Sequence, residues 1–336
     1  MAFANPPRRT FLRGTIGLGA AAIIGAPTFS HASPIRLSFG HALGPGNPRS
    51  VAAEAFAAAV RTRTGGAVEV MVTGAEQLGT DVAMMTSLRT GALAISANAQ
   101  GPASAIVPEM AALGLPFLFA DSAAALRVLN GSVGEQLRAR FEAVGIVTLG
   151  WWDNGIRHIT NRVRPIRTPE DLRGLRIRTP ANPATIDIFR ALGAATTQIA
   201  FSELYGALQQ GVVDGQENPL VNIASARLYE VNRFISLSAH KWESTPVLMS
   251  RMAWNRLDAA GRQAVQEAMA EATTLQVSLV EQGNARLLTQ FKANPNIAVN
   301  EVDRAAFRQR TAVVVDQWER KPIGAFVREL RGAVGA

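Results

Sequence analysis

The 336-residue chain has no cysteine, three lysines, four histidines and two tyrosines. Without cysteine there is no disulfide, no thiolate nucleophile and no thiolate-bound metal. None of Lys241, Lys292 and Lys321 follows a glycine-rich loop, so there is no phosphate-binding P-loop. His41, His158 and His240 stand far apart and lack the spacing of a zinc site, and no GxSxG nucleophile turn occurs. The run Gly44–Arg49 is half of a dinucleotide fingerprint and lacks its third glycine. Basic residues exceed acidic ones but are scattered as single arginines, which argues against a nucleic-acid partner. No cofactor and no metal is expected. An enzyme reading has to rely on groups that folding brings together, such as His41, His240 and Glu217.

Long apolar runs are scarce too. One apolar stretch, Thr15–Ala26, follows Arg8, Arg9 and Arg13 and precedes the small residues of Ser30–Ala32. It is shorter than the ~20 residues that a membrane-spanning helix needs. A charged start, a short apolar core and a small-residue cut site predict a cleaved export signal over residues 1–32. The paired arginines favour the twin-arginine type over general secretion. The segment carries three arginines and no acid, so its removal takes the net charge from +8 to +5. No cysteine follows it to take a lipid, and a free periplasmic protein is expected.

Downstream, Ile35, Leu37 and Phe39 alternate as a strand, and Ser50–Arg63 is an alanine-rich helix. Val68, Val70 and Val72 form a second strand, Asp81–Thr90 a helix and Ala92–Ser96 a third strand. This alternation predicts a parallel α/β sheet. Helices from Asp121 and Ser132 lead to the strand Gly145–Trp152, and Asp153–Gly155 reads as a break before a second α/β unit. In that unit Ser202 is the expected cap of a helix closed by Gly211. From Leu257 to Phe291 the pattern is helical for roughly 50 Å, which requires a kink near Gly283 or a helix shared by both units. The run "QQGVVDGQENPL" (Gln209–Leu220) fits neither period, with Gly215 and Pro219 breaking helices, and reads as an irregular polar segment.

"GLRIRTP" (Gly174–Pro180), "ALGAATTQIAFSELYGALQQGVVDGQENPL" (Ala191–Leu220) and "YEVNRFISLSAH" (Tyr229–His240) resemble solute receptors of the tripartite ATP-independent periplasmic (TRAP) transporters, in the branch that takes dicarboxylates and sialic acid. "GAEQLGTD" (Gly74–Asp81) and "PEMAALGLPFLF" (Pro108–Phe119) fit the same family, so the likeness covers the whole chain after the signal. It implies an α/β fold of two lobes with a ligand cleft between them, crossing strands, and a long helix spanning both. The expected limits are 33–154 with about 244–283 for one lobe, and 155–243 with about 284–336 for the other.

The resemblance also implies a function and a site. A small organic acid would bind in the cleft and pass to membrane permease subunits, with the receptor a monomer. Arg178, at the end of its strand, would pair with the ligand carboxylate through its planar fork of donors. Asn218 would offer its amide, and Phe201 would stack on the ligand. Arg157 matches a second cleft arginine, and His41 a polar position after the first strand. Asn98 and Gln100 occupy a loop that is acidic in sialic-acid receptors, which argues against an amine-bearing ligand. They favour hydroxyl partners, hence a hexuronate or related sugar acid. A C4-dicarboxylate is the alternative, with Arg157 taking the second carboxylate. A ligand sensor is a further possibility for the same cleft.

Overall fold

The computed structural model describes residues 33–335, and the export signal expected over residues 1–32 lies outside them. The elements run β1 (Ile35–His41), α1 (Pro48–Arg63), β2 (Val68–Thr73), α2 (Asp81–Thr90), β3 (Ile95–Ala97) and α3 (Gln100–Ala103). A 3-10 turn at Pro108–Gly114 leads to α4 (Ser122–Leu129), α5 (Ser132–Ala143) and β4 (Ile146–Asn161). The second stretch holds β5 (Arg176–Thr179), α6 (Pro183–Ala191), β6 (Ala195–Gln198), α7 (Phe201–Gln209), β7 (Gly215–Asn218) and α8 (Leu220–Ser225). It is followed by β8 (Phe234–Ser250), α9 (Arg251–Trp254), α10 (Ala259–Ala293), β9 (Ala298–Glu301), α11 (Arg304–Glu319) and α12 (Gly324–Val334). No helix among the described residues is long and apolar enough to cross a membrane.

The strands form one sheet in the order β2-β1-β3-β8-β4-β7-β5-β6, with β9 pairing β8. β1 runs parallel to β2 and β3, as the alternating pattern requires, and β5 runs parallel to β6 and β7. Between these two parallel sets lie β4 and β8, paired antiparallel from Ile146↔Ser250 to Asn161↔Phe234. Each therefore starts in one half of the sheet and ends in the other.

Asp153–Gly155 is not a break. The chain continues through it as one 16-residue strand, with register shifts at Thr148/Gly150, Asp153/Gly155 and Arg157/Ile159. The middle of the strand is polar yet buried, so period-two alternation fails there although the strand persists. The Gln209–Leu220 run departs from expectation for the same reason. Gly215–Asn218 is a buried strand between β4 and β5, made of residues that sequence patterning assigns to loops. Gly215 is required at this spot, because a Cβ there would lie 2.4 Å from the Thr160 carbonyl oxygen.

One core covers a face of both halves, drawing Met84, Phe141, Trp151, Ile177, Phe189 and Trp242 together under α11 and α12. The first half has its own core around Phe39, Phe56, Trp152 and Met249, and the second has one around Leu204, Leu208, Ile235 and Phe291. α10 joins these two: Met269 enters the former and Phe291 the latter. It is a single 35-residue helix, and Gly283 serves packing, since a Cβ there would sit 2.8 Å from Val221 Cγ1 on α8.

Candidate functional site

Arg178 lies near the C-terminal end of the parallel strand β5, in register with Thr197 of β6 and Gln216 of β7. Strand ends of this kind are where open α/β sheets hold ligands. Its residue is 3% exposed. Nε donates to the Ile199 carbonyl at 2.8 Å, and the two terminal nitrogens have no hydrogen-bond partner among the described residues. Burial and the nearby Arg157 lower its pKa to about 10, so the guanidinium stays charged. The Phe201 ring, in the first turn of α7, is 6.0 Å from the guanidinium carbon.

Both side chains line a cavity of about 160 Å³ with Glu76, Thr80, Asp81, Pro102, Pro180 and Ala181 among its other walls. The walls come from both halves of the sheet: Glu76, Thr80 and Asp81 follow β2, whereas Arg178 and Phe201 belong to β5 and α7. Thr80 caps α2, its hydroxyl accepting from Ala83 N at 3.2 Å. Glu76 accepts from Asp81 N at 3.1 Å and from Ser202 N at 2.8 Å. It thus satisfies one orphan donor at each of two helix N-termini, where the helix dipoles favour a carboxylate. Ser202 is accordingly not the cap of its helix. That helix begins at Phe201, Ala200 precedes it without a side-chain cap, and the capping carboxylate comes from the other half.

Asp81 Oδ1 is sequestered without a hydrogen-bond partner among the described residues. Burial raises its carboxyl pKa to about 7, against the pull of Arg49. Neutral Asn98 and Gln100, which argued against an amine-bearing ligand, do not line the cavity. Two acids line the cavity, supplied by the segment between β2 and α2.

The remaining site candidates lie outside the cavity lining, and two of them, Arg157 and Asn218, stand in a buried polar seam along the middle of β4, β7 and β8. Arg157 gives Nε to Glu217 Oε2, NH2 to Glu217 Oε1 at 2.7 Å and to its carbonyl at 2.6 Å, and NH1 to Glu243 Oε2 at 2.5 Å. Lys241 donates to Thr185 at 2.5 Å and stands 3.4 Å from Glu243. Burial works to raise the Glu217 pKa, but Arg157 and Lys241 outweigh it and hold the carboxyl well below the usual range. Asn218 donates to Gln216 Oε1 at 2.5 Å and accepts from Asn222 at 3.4 Å. Asn222 in turn reaches Asn154 and Asn47, the N-cap of α1, so the amides cross from one half to the other.

His41, Asn98 and Gln100 are almost wholly buried. His41 Nδ1 accepts from Leu43 N at 3.3 Å, and burial with Arg49 lowers its pKa to about 4, so the ring is neutral. Asn98 donates to the Asp81 carbonyl at 3.3 Å, and Gln100 Oε1 accepts from Ser244 N at 2.8 Å. Each of the three retains one unpartnered polar atom: His41 Nε2, Asn98 Oδ1 and Gln100 Nε2. His240 and Glu217 meet at 3.3 Å but belong to the seam.

A family model described as bacterial extracellular solute-binding protein, family 7, matches residues 39–321. The chain belongs to that family.

A Sinorhizobium fredii protein of undescribed role is 55% identical over 317 residues, which are 94% of this chain and 58% of that longer one. The C4-dicarboxylate-binding periplasmic protein of Rhodobacter capsulatus is 33% identical over 300 residues, 88% of this chain and 89% of its own length. The crystal structure of the sugar acid binding protein of Advenella mimigardefordensis in complex with galactonate superposes with a TM-score of 0.87. It is 30% identical and covers 90% of this chain and 98% of its own. The two-lobed α/β fold with crossing strands and a shared long helix, expected from the sequence, is that of the family.

Of the expected site residues, Arg178 and Phe201 meet at the cavity. Sequence reasoning missed Glu76 and Asp81. Both stand in "GAEQLGTD", where Asp81 was visible only as the first residue of a helix.

Proposed function

We propose that this chain is the periplasmic receptor of a TRAP transporter, exported through residues 1–32 and acting as a monomer. It closes over a small organic acid and delivers it to membrane permease subunits. The lobes are 33–154 with about 244–283, and 155–243 with about 284–336. The observation that carries this reading is Arg178: a buried, charged guanidinium with two unengaged terminal nitrogens, beside an aromatic ring, on a cavity walled by both halves. A desolvated carboxylate is the partner that such a fork fits best. Phe201 covers the ligand, while Asn218 and Arg157 in the seam, with His41, Asn98 and Gln100 in the first half, are buried polar groups outside the cavity lining.

The protein binds its ligand without changing it. His41, His240 and Glu217, the groups named for an enzyme reading, do not line the cavity, and His240 and Glu217 are committed to the seam. The favoured solute is a hexuronate or other sugar acid. Melting curves against a panel of organic acids test this, with mass spectrometry of each acid afterwards. Saturation at a thousandfold over the Kd should add about 4 kcal/mol of stability and leave the acid intact. Turnover of a panel member, or no shift with any, overturns the reading.

A further inference from the structure

Along their shared ladder, β4 and β8 slip out of step three times. Two of the slips put the extra residue on β4, Leu149 and Asn154, and each is followed by a glycine, Gly150 and Gly155. Gly155 takes a φ of 109°, a conformation open to glycine. The third slip is on β8. Arg157 faces Lys241 and Ile159 faces Ser236, so His158 alone stands opposite Leu237–His240. This bulge lies where β7 joins β4, through the pair His158↔Asn218, at the edge of the second half. Within it Ala239 has a φ of 44°, in the left-handed region, and it is not a glycine.

Ala239 has no polar side chain of its own to support that conformation, as Asn or Asp would. Hydrogen bonds around it do so instead. Ala239 N donates to His158 Nδ1 at 3.2 Å. The His240 carbonyl accepts from Phe117 N at 2.9 Å, and Ser238 Oγ lies 2.8 Å from His240 Nδ1. Phe117 is itself left-handed, with a φ of 53°, and is fixed by the core and by Arg308, whose guanidinium carbon is 4.8 Å from its ring centre. Strain of this kind persists only where the surroundings over-determine it. Here they do so with the halves together, the form in which Glu76 reaches Ser202.

Hinge motions are absorbed by a few residues that large φ/ψ changes can reach. β8 runs from one half into the other, and Leu237–His240 is the stretch of it left out of the ladder with β4. We propose that Ala239 is a spring set against closure: strained while the halves are together, it relaxes toward extended backbone as they part. This rests on the reading that the halves close over a solute, and it adds the force that reopens them. Solute binding loads the bulge, so part of the contact energy is held back for release. The receptor binds less tightly than its contacts allow, and it lets go faster.

The test is Ala239→Gly and Ala239→Val, by titration calorimetry with galactonate, glucuronate and succinate and by low-angle scattering of the solute-free protein. Melting curves confirm that each variant is folded. Glycine removes the left-handed penalty, and a β-branched side chain raises it. Kd compares two folded forms, so the effect of glycine on the unfolded chain drops out of it. Ala239→Gly should tighten whichever of the acids binds by about tenfold, and should shrink the solute-free particle toward the saturated wild type. Ala239→Val should do the opposite, and if it fails to fold the glycine variant still decides. Unchanged or weaker binding in Ala239→Gly, with the solute-free radius unmoved, overturns the spring even where the melting point rises, since the strain is then the same in both forms. Failure of all three acids to bind the wild type counts against the organic-acid reading, and the solute-free radius alone then decides on the spring.

Discussion

Ser202 donates its backbone N–H to Glu76 Oε2 over 2.8 Å, and the two residues belong to opposite halves of the sheet. The same carboxylate accepts from Asp81 N at 3.1 Å, so a single side chain ties the start of α2 to the start of α7. Glu76 holds this position with a positive φ of 57°, a conformation that few residues other than glycine adopt. On the proposed closure over solute, this bond is made only when the halves are together, so it would stabilise the closed form specifically.

Glu76→Ala should therefore weaken ligand binding more than it weakens the fold. Losing a helix cap costs about 0.5–2 kcal/mol, and here that loss falls on closure. Low-angle scattering should show a wild type that becomes more compact on saturation and a variant that needs more ligand to reach the same radius. Equal ligand dependence in both would remove Glu76 from closure.

The seam should respond differently. Glu217→Ala leaves Arg157 buried beside Glu243 alone, and breaking a buried ion network of this kind costs roughly 3–5 kcal/mol. Urea unfolding should show that loss in Glu217→Ala and a much smaller one in Arg178→Ala, whose guanidinium has no carboxylate partner to strand. Comparable destabilisation by the two substitutions would contradict the division between seam and site.

Stability should fall as pH rises toward 7. The Asp81 carboxyl has a folded pKa of about 7 against ~3.9 when unfolded, so between these values the folded state holds the extra proton. The contribution is present below about pH 4 and is lost as pH rises through 7, with a slope of at most about 1.4 kcal/mol per pH unit. Asp153, raised by burial to about 6, acts with the same sign, so the measurement is the difference between wild type and Asp81→Asn. A difference that does not vary between pH 5 and 8 would rule out a buried titrating Asp81.

Where patterns are local, the fold was legible. The parallel strands Ile35–His41 and Val68–Thr73, the Asp121-capped helix and the length of α10 follow from alternation, capping and period. Two strands were not, for one physical reason: Asp153–Gly155 and Gln216–Asn218 are polar groups buried against other polar groups, and solvent-facing loops use the same residues. Among site residues, Arg178 and Phe201 were named only through the resemblance to TRAP solute receptors. A lone strand-end arginine or an aromatic before a helix reads equally as a surface ion pair or a packing staple, and the fold sets the two side by side at the cavity. Glu76 was missed because its cross-half partner, Ser202, is more than ninety residues away in the chain, and Asp81 because a residue opening a helix reads as a cap-region acid.

The central claim is that Arg178 holds the solute's carboxylate, and titration calorimetry of Arg178→Ala and Arg178→Lys against the cognate acid tests it most directly. Removing one partner of a desolvated charge pair costs roughly 2–5 kcal/mol, which at ~1.4 kcal/mol per decade is on the order of 30- to several-thousandfold in Kd. Lysine should recover only part of this, because a point charge cannot meet both oxygens in plane. Asn218→Ala should lose less, since it removes a neutral donor. Wild-type affinity in Arg178→Ala, with the fold intact, would place the carboxylate elsewhere and contradict the account.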